Sequence, residues 1–562
     1  MRRRLAATTF VVGLAFAFAL PGIAGASGDS LVTRDNTPAS YLRSDGGSDA
    51  TTQACSTGRR SQNEPTVAVD PNNTQVVAAG SNDYCTQIVN GDVWAGYYRS
   101  TNSGGAWQDS LVPGYPDDSS AGGVASPAHN VCAAAGDPTM SFDTAGRLFY
   151  GFICFNRGKP VNGGIFVARY LNDGASYDRT VLVKKGSPSA HFATSGHFQD
   201  KVNLAVDQSG GPRDGYVYVA WSQYNGASGN NEVLVSRSTD HGVTFSQPVK
   251  ATPKEHGTAS YTDLAVGPDG NVYLTYVTYA SSSRPTNDFW LVRSTDGGNT
   301  WGPALNVASV TLFDSNQFSG NGAYDCGDGP FACPSGLTYS RFASNSAVAA
   351  DATGVHVVYA AENENGQSKV FARNSANGTS WSGPPAQLDS AATGHQWFPD
   401  VASSGGTLTA VFYDSRNDPA YSPALPPGNT AAGSTSGDVV TTYIARSTNG
   451  GASWTETPVS SADSNFGWET HGSRRIGFWG DYLYVSAWGS AVSVIWTDSR
   501  DLVPGADPRE TGADDDTDGF DVFQPCTYDP NDINAASYSS PGVSDPCLSQ
   551  GGLDQNIYGA RV

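Results

Sequence analysis

The stretch Arg-Ser-Thr-Asp-Gly-Gly-Asn-Thr-Trp, residues 293–301, follows an apolar run and recurs along the chain. Related copies end at Trp107, Phe245, Trp381 and Trp454, and a worn copy ends at Tyr177. Six copies do not make one active site; they make a scaffold built by repetition. Their common frame is Ser, any, Asp or Asn, any, Gly, any, Thr or Ser, aromatic, and each position has a local task in a hairpin turn. The Asp or Asn oxygen accepts from nearby backbone N–H groups, and Gly supplies a positive φ. The final aromatic brings a large apolar area to bury between adjacent sheets. In the copy ending at Trp381 the acid position falls on Ala376, so that turn has to hold by other means.

A second element precedes each turn: an alternating strand pair, starting at Glu64, Asp137, Asp200, Thr262, Ser346, Phe398 and Gly480. Apolar and polar residues alternate with Gly- or Asp-rich turns between them, the period of antiparallel hairpins. Joined to the hairpin that follows, each pair gives a four-stranded unit. The seventh unit has no copy of the turn and is read as closing through Asp-Gly-Phe-Asp-Val-Phe, 518–523, and the terminal 554–562. The fold class expected is all-β, a propeller of four-stranded antiparallel blades, seven of them, with six as the alternative. Residues 61–562 are read as that single domain.

The frame resembles the Asp-box, or bacterial neuraminidase repeat, of sialidases and other secreted β-propellers. The match is strongest at Ser294, Asp296, Gly298, Thr300 and Trp301. The resemblance implies that the turns join the third and fourth strands of each blade on the face opposite an active site. It also implies carbohydrate chemistry: sialidases hold a sugar carboxylate with three arginines and use a tyrosine nucleophile activated by Glu, with an Asp as acid/base. The Phe/Tyr-Arg-Ile-Pro signature that carries the first of those arginines is absent, since no arginine follows Arg60 until Arg99. The catalytic set therefore does not carry over residue by residue, and fold does not determine function.

Residues 1–26 read as a secretory signal peptide, with Arg2 to Arg4, an apolar run and a small-residue cleavage site. A secreted, extracellular protein without a membrane span is expected. Residues 27–60, poor in large apolar side chains, read as a flexible leader. Eight cysteines follow, an even number that suits disulfides in an oxidising compartment. Nearest-neighbour pairing gives Cys55 with Cys85, Cys132 with Cys154, Cys326 with Cys333, and Cys526 with Cys547, although connectivity does not follow from sequence. The formal charge of −21, three units more negative without Arg2, Arg3 and Arg4, argues against nucleic acid as a partner. The partner expected is carbohydrate, an acidic glycan or polysaccharide, handled by a monomer.

In a propeller the starts of the first strands and the ends of the second strands converge on one face. Glu64, Asp137, Asp200, Asp481 and Tyr482 stand at such starts. Two second strands end in the similar motifs Tyr-Asp-Ser-Arg, 413–416, and Thr-Asp-Ser-Arg, 497–500. Arg416 and Arg500 are the candidate carboxylate grips, each oriented by its own Asp, and an ion pair that locks the ring is the structural alternative. Asp137, Asp414 and Asp481 are candidate acids, Tyr413 the candidate nucleophile, and His395 and Trp397 candidate substrate contacts on the rim. Asp514, Asp516 and Asp518 with Gly519 have the D-x-D-x-D-G spacing of a Ca²⁺ loop, and Ca²⁺ is the one cofactor suggested; a solvated acidic loop is the alternative. The function expected is a sialidase-like, exo-acting glycoside hydrolase on acidic sugars. The alternatives are a non-catalytic glycan- or protein-binding propeller and a lyase on uronic acid polymers.

Overall fold

The computed structural model describes residues 28–35, 37–56, 61–86, 92–129, 131–156, 163–187, 196–226, 230–280, 286–312, 345–419, 421, 423, 439–464, 479–501 and 555–562, with the backbone of a short hairpin at 324–325 and 332–333. The signal segment, Cys326, Cys526, Cys547 and the 514–519 acidic loop lie outside these residues.

Seven four-stranded antiparallel sheets follow one another in chain order. Their first strands are Gln62–Val69, Ala134–Phe142, His197–Val206, Ala259–Val266, Ser346–Asp351, Gln396–Ser404 and Tyr484–Trp488, which define blades 1 to 7. Each first strand contacts the first strand of the next blade, and that of blade 7 contacts that of blade 1, so the sheets form a closed ring about a central channel. The molecule is a seven-bladed β-propeller.

Closure is made by the two ends of the chain. In blade 7 the third strand is Asn556–Arg561, and Ser30–Leu31 pairs with it as the outer strand, Ser30 against Gly559 and Leu31 against Tyr558. The part of 27–60 read as a flexible leader is thus built into the ring where it is described. Tyr41 is buried, and the helix Ala50–Cys55 is capped by Asp49 and tied to blade 1 by the Cys55–Cys85 disulfide. Two residues of strand carry no alternation to read, which is why composition alone marked this segment as loose. The Cys132–Cys154 disulfide also forms as expected.

The repeated turns join third and fourth strands. In blade 4, Ser294 Oγ accepts from Gly298 N (2.8 Å), while Asp296 accepts from Thr300 N (2.9 Å) and Thr300 Oγ1 (2.7 Å). Burial works to raise its pKa, but these hydrogen bonds hold the Asp296 carboxyl well below the usual range. The turn of blade 5 is one residue shorter than the frame: Asn377, not Ala376, takes the acid position and accepts from Thr379 N and Ser380 N. The final aromatics pack at the seam with the preceding blade, Phe245 among residues of blades 2 and 3, and Trp301 among those of blades 3 and 4. The arginine that opens the frame also crosses a seam. Arg237 donates to Gly297 O (2.6 Å) and Arg293 to Asn377 O (2.9 Å), each capping the turn of the next blade.

Candidate functional site

Five of the seven first strands contain the same irregularity. The pairing register shifts between Asn63 and Thr66, Gly136 and Thr139, Asp200 and Asn203, Ser260 and Asp263, and Trp397 and Asp400. Within each shift one residue has a positive φ: Glu64, Asp137, Lys201, Tyr261 and Phe398. That conformation is costly for residues with a Cβ, and a β-bulge of this kind re-aims a side chain. Below the bulges, side chains tie blade to blade: Leu204 N donates to Thr139 Oγ1, Leu264 N to Asn203, Val348 N to Asp263 and Val485 N to Asp400.

The re-aimed side chains of blades 1 to 4 meet residues of blade 7 at the channel mouth. Lys201 Nζ lies 2.6 Å from Asp481 Oδ2, 3.8 Å from Asp137 Oδ2 and 4.0 Å from Asp200 Oδ1. Tyr261 Oη donates to the same Asp481 oxygen at 3.2 Å. Glu64 Oε2 accepts from Asn82 Nδ2 (2.7 Å) and from Tyr482 Oη (3.3 Å), and Asn82 Oδ1 in turn accepts from Asp137 N. Gly480 permits this approach, since a Cβ there would stand 2.0 Å from Glu64 Cγ. Deeper in the channel, Tyr261, Tyr482, Tyr484, Asp263 and Asp400 border a cavity of about 30 Å³.

Three carboxyl groups around one ammonium cannot all ionise cheaply away from water. Burial, partly opposed by Lys201, pushes the Asp137 carboxyl up to about 6. Burial, again opposed by Lys201 and reinforced by Asp137, pushes Asp200 up to about 7. The two carboxyls share a donor, the Lys201 backbone N–H, which lies 2.9 Å from both Asp137 Oδ2 and Asp200 Oδ1. Burial works to lower the Lys201 pKa, but Asp137, Asp200 and Asp481 hold it well above its usual value. The mouth thus presents carboxyls shifted towards neutral pH, a lysine-paired carboxyl at Asp481 and a tyrosine hydroxyl within one cluster. No group of His, Cys, Asp and Glu among the described residues is arranged to hold a metal ion.

Of the residues singled out in the sequence, Asp137 and Asp481 belong to this cluster together with Glu64, Asp200 and Tyr482 of the strand starts, and the other candidate site residues that the structure describes do not. Arg416 is engaged by Asp414 (Nε to Oδ2, 2.7 Å) and Glu456 (2.5 Å) and stacks on Tyr443, 4.1 Å from the ring centroid. Arg500 repeats the pattern with Asp498 (2.6 Å), Asp29 (2.8 Å) and Tyr558 (4.1 Å). Each guanidinium clasps the second, third and outer strands of its own blade, so neither is available as a carboxylate grip. Tyr413 is fully buried; its hydroxyl accepts from Thr497 N (2.9 Å) and bridges blade 6 to blade 7, and burial pushes its pKa far above the usual phenol value. A nucleophile needs the opposite shift. His395 is fully buried and accepts from Ser368 N, and Trp397 is packed in the core of blades 6 and 7, so neither forms a rim. Lys201 and Tyr261 were missed. The signal was the column Glu64-Pro, Asp137-Pro and Phe398-Pro, two residues before Thr66, Thr139 and Asp400, in which Lys201, Tyr261 and Tyr482 also stand.

No protein-family model matches the chain, and no curated protein matches it. Among solved structures it is similar to a Hadza microbial sialidase, with 12% identity over 76% of this chain and 72% of that one and a TM-score of 0.40. It is also similar to a Penicillium chrysogenum α-L-arabinanase complexed with arabinobiose, with 13% identity over 64% and 92% and a TM-score of 0.40. A third is the leech intramolecular trans-sialidase, with 11% identity over 63% and 65% and a TM-score of 0.38.

Proposed function

We propose that this propeller is a glycoside hydrolase acting on a neutral sugar at the channel mouth. The observation that carries the reading is the pair Asp137 and Asp200, gathered on Lys201 and pushed up to about 6 and about 7, beside Asp481 and Tyr261. A carboxyl kept protonated near neutrality suits the general acid that protonates a leaving-group oxygen, and a second, ionised carboxylate suits the base or nucleophile. Asp200 takes the first role and Asp481 the second, with Lys201 orienting Asp481. The charge balance of the cluster, three carboxyl groups to one lysine, with Arg416 and Arg500 committed elsewhere, argues against an anionic sugar. This replaces the acidic substrate expected from resemblance, and leaves the uronic acid lyase without its arginines.

The test is release of nitrophenol from a panel of neutral aryl furanosides and pyranosides, beside a sialic acid glycoside. Turnover on a neutral member that falls by roughly 10²–10⁴-fold in Asp200→Asn supports the reading. Turnover on the sialic acid glycoside alone overturns it. The second reading is a binding propeller, favoured by the narrowness of the 30 Å³ cavity; binding without turnover across the panel would establish it.

The proposal extends to an extracellular protein, in line with the two disulfides, and to Ca²⁺ on Asp514, Asp516 and Asp518. EDTA is expected to lower Tm by several degrees, with recovery on adding Ca²⁺ and no response in Asp516→Ala. No helix among the described residues is long and apolar enough to cross a membrane.

A further inference from the structure

Away from the channel, on the outer side of blades 1 and 2, the structure holds a groove of about 630 Å³. That is within the range of small-molecule sites. Its aromatic side is a trio of tyrosines. Tyr97 and Tyr170 stack at 4.4 Å, and Tyr177 meets Tyr170 edge-on at 5.6 Å. Gln108, on the outer strand of blade 1, is exposed at its edge. Its far wall is the turn around Arg43. Arg43 pairs with Asp45 (2.9 Å) and reaches Ser119 Oγ (3.0 Å), which fastens the N-terminal segment to the connection between blades 1 and 2.

Two features define what fits. Arg43 is paired with Asp45, and Arg99 donates to Asp173 O at 2.8 Å, so the cations of the groove are committed and an anion finds no partner in them. The buried lining is also short of hydrogen bonds. The Tyr170 hydroxyl and Asp109 Oδ1, on residues that are 1% and 0% exposed, have no hydrogen-bond partner among the described residues. Buried polar atoms are rarely left so. The half-buried Tyr177 ring, backed by the buried Tyr170 and Tyr97 and flanked by amide and hydroxyl groups, suits an uncharged polyhydroxylated ring.

We propose that this groove is a second binding site for a neutral oligosaccharide, separate from the channel mouth and formed only when the N-terminal segment is docked. The test is hydrogen–deuterium exchange of the full chain with millimolar xylohexaose, arabinohexaose, mannohexaose or cellohexaose, and with hexagalacturonate as the acidic control. At least one neutral hexasaccharide is expected to protect both 42–46 and 174–177. The same protection is expected in Asp200→Asn, so failure of the catalytic reading leaves this result standing. Affinity is expected to fall at least tenfold in the double variant Gln108→Ala, Tyr177→Ala. No protection of these two segments by any neutral sugar, or protection by hexagalacturonate alone, would overturn the proposal. The footprint on the unaltered protein decides the matter even if the double variant does not fold.

Discussion

Arg416 and Arg500 show how one spacing serves two purposes. Asp-x-Arg at the end of a strand places both side chains on one side, and such a pair fits a substrate carboxylate as well as it fits a clasp. What decides is the third partner, Glu456 for Arg416 and Asp29 for Arg500, which stand 40 and 471 residues away. No local pattern reports a contact at that range. The consequence is testable: Arg500→Ala leaves Asp498 and Asp29 without their cation, and removal of one partner from a buried pair costs roughly 3–5 kcal/mol. Because Arg500 is partly exposed, the loss is expected near 3 kcal/mol, the lower end of that range. Urea denaturation measures it; an unchanged midpoint with a raised KM would restore Arg500 as a grip.

At the scale of elements, the chain was most legible where it repeats. The seven strand pairs and the hairpin turns could be read because alternation and turn chemistry are local, and each corresponds to a blade. The closing strand could not, since Ser30–Leu31 is defined by its partner, Asn556–Arg561, at the other end of the chain. The site was half legible for a related reason. Acids at strand starts were visible one by one, but Lys201 and Tyr261 enter the cluster because a bulge turns them inward, and a bulge shows only when the repeats are aligned against each other. A variant lacking residues 28–35 is expected to expose the edge of Asn556–Arg561 and remove Asp29 from Arg500. An unpaired edge templates association. Size-exclusion chromatography should then show aggregation and calorimetry a lowered Tm; a monodisperse variant of unchanged Tm would show that the ring closes without this strand.

For the whole molecule, the buried acids set an unusual dependence on pH. Burial raises Asp137 and Asp389 to about 6 and Asp200 and Asp400 to about 7, against roughly 3.9 in an unfolded chain. A raised carboxyl binds its proton more tightly when folded, so its contribution is full below the unfolded value and is lost as pH rises through about 6–7. Asp240 and Asp351, held at about 2 by hydrogen bonds that outweigh their burial, act in the opposite sense and lose their contribution as pH falls from about 4 towards 2. The Tm is therefore expected to peak between about pH 4 and 6 and to decline towards pH 8, where the formal charge of −21 adds self-repulsion. A Tm that rises steadily from pH 5 to 8 would contradict this. On the proposed function, the ring serves to converge Asp137, Asp200, Lys201, Tyr261 and Asp481 on one point at the channel mouth. The most direct test is kcat/KM on the neutral aryl glycoside best turned over, compared between the unaltered protein and Asp200→Asn with Tm measured alongside. A loss of roughly a hundredfold or more with the fold intact is expected; undiminished turnover in Asp200→Asn would remove Asp200 from the reaction.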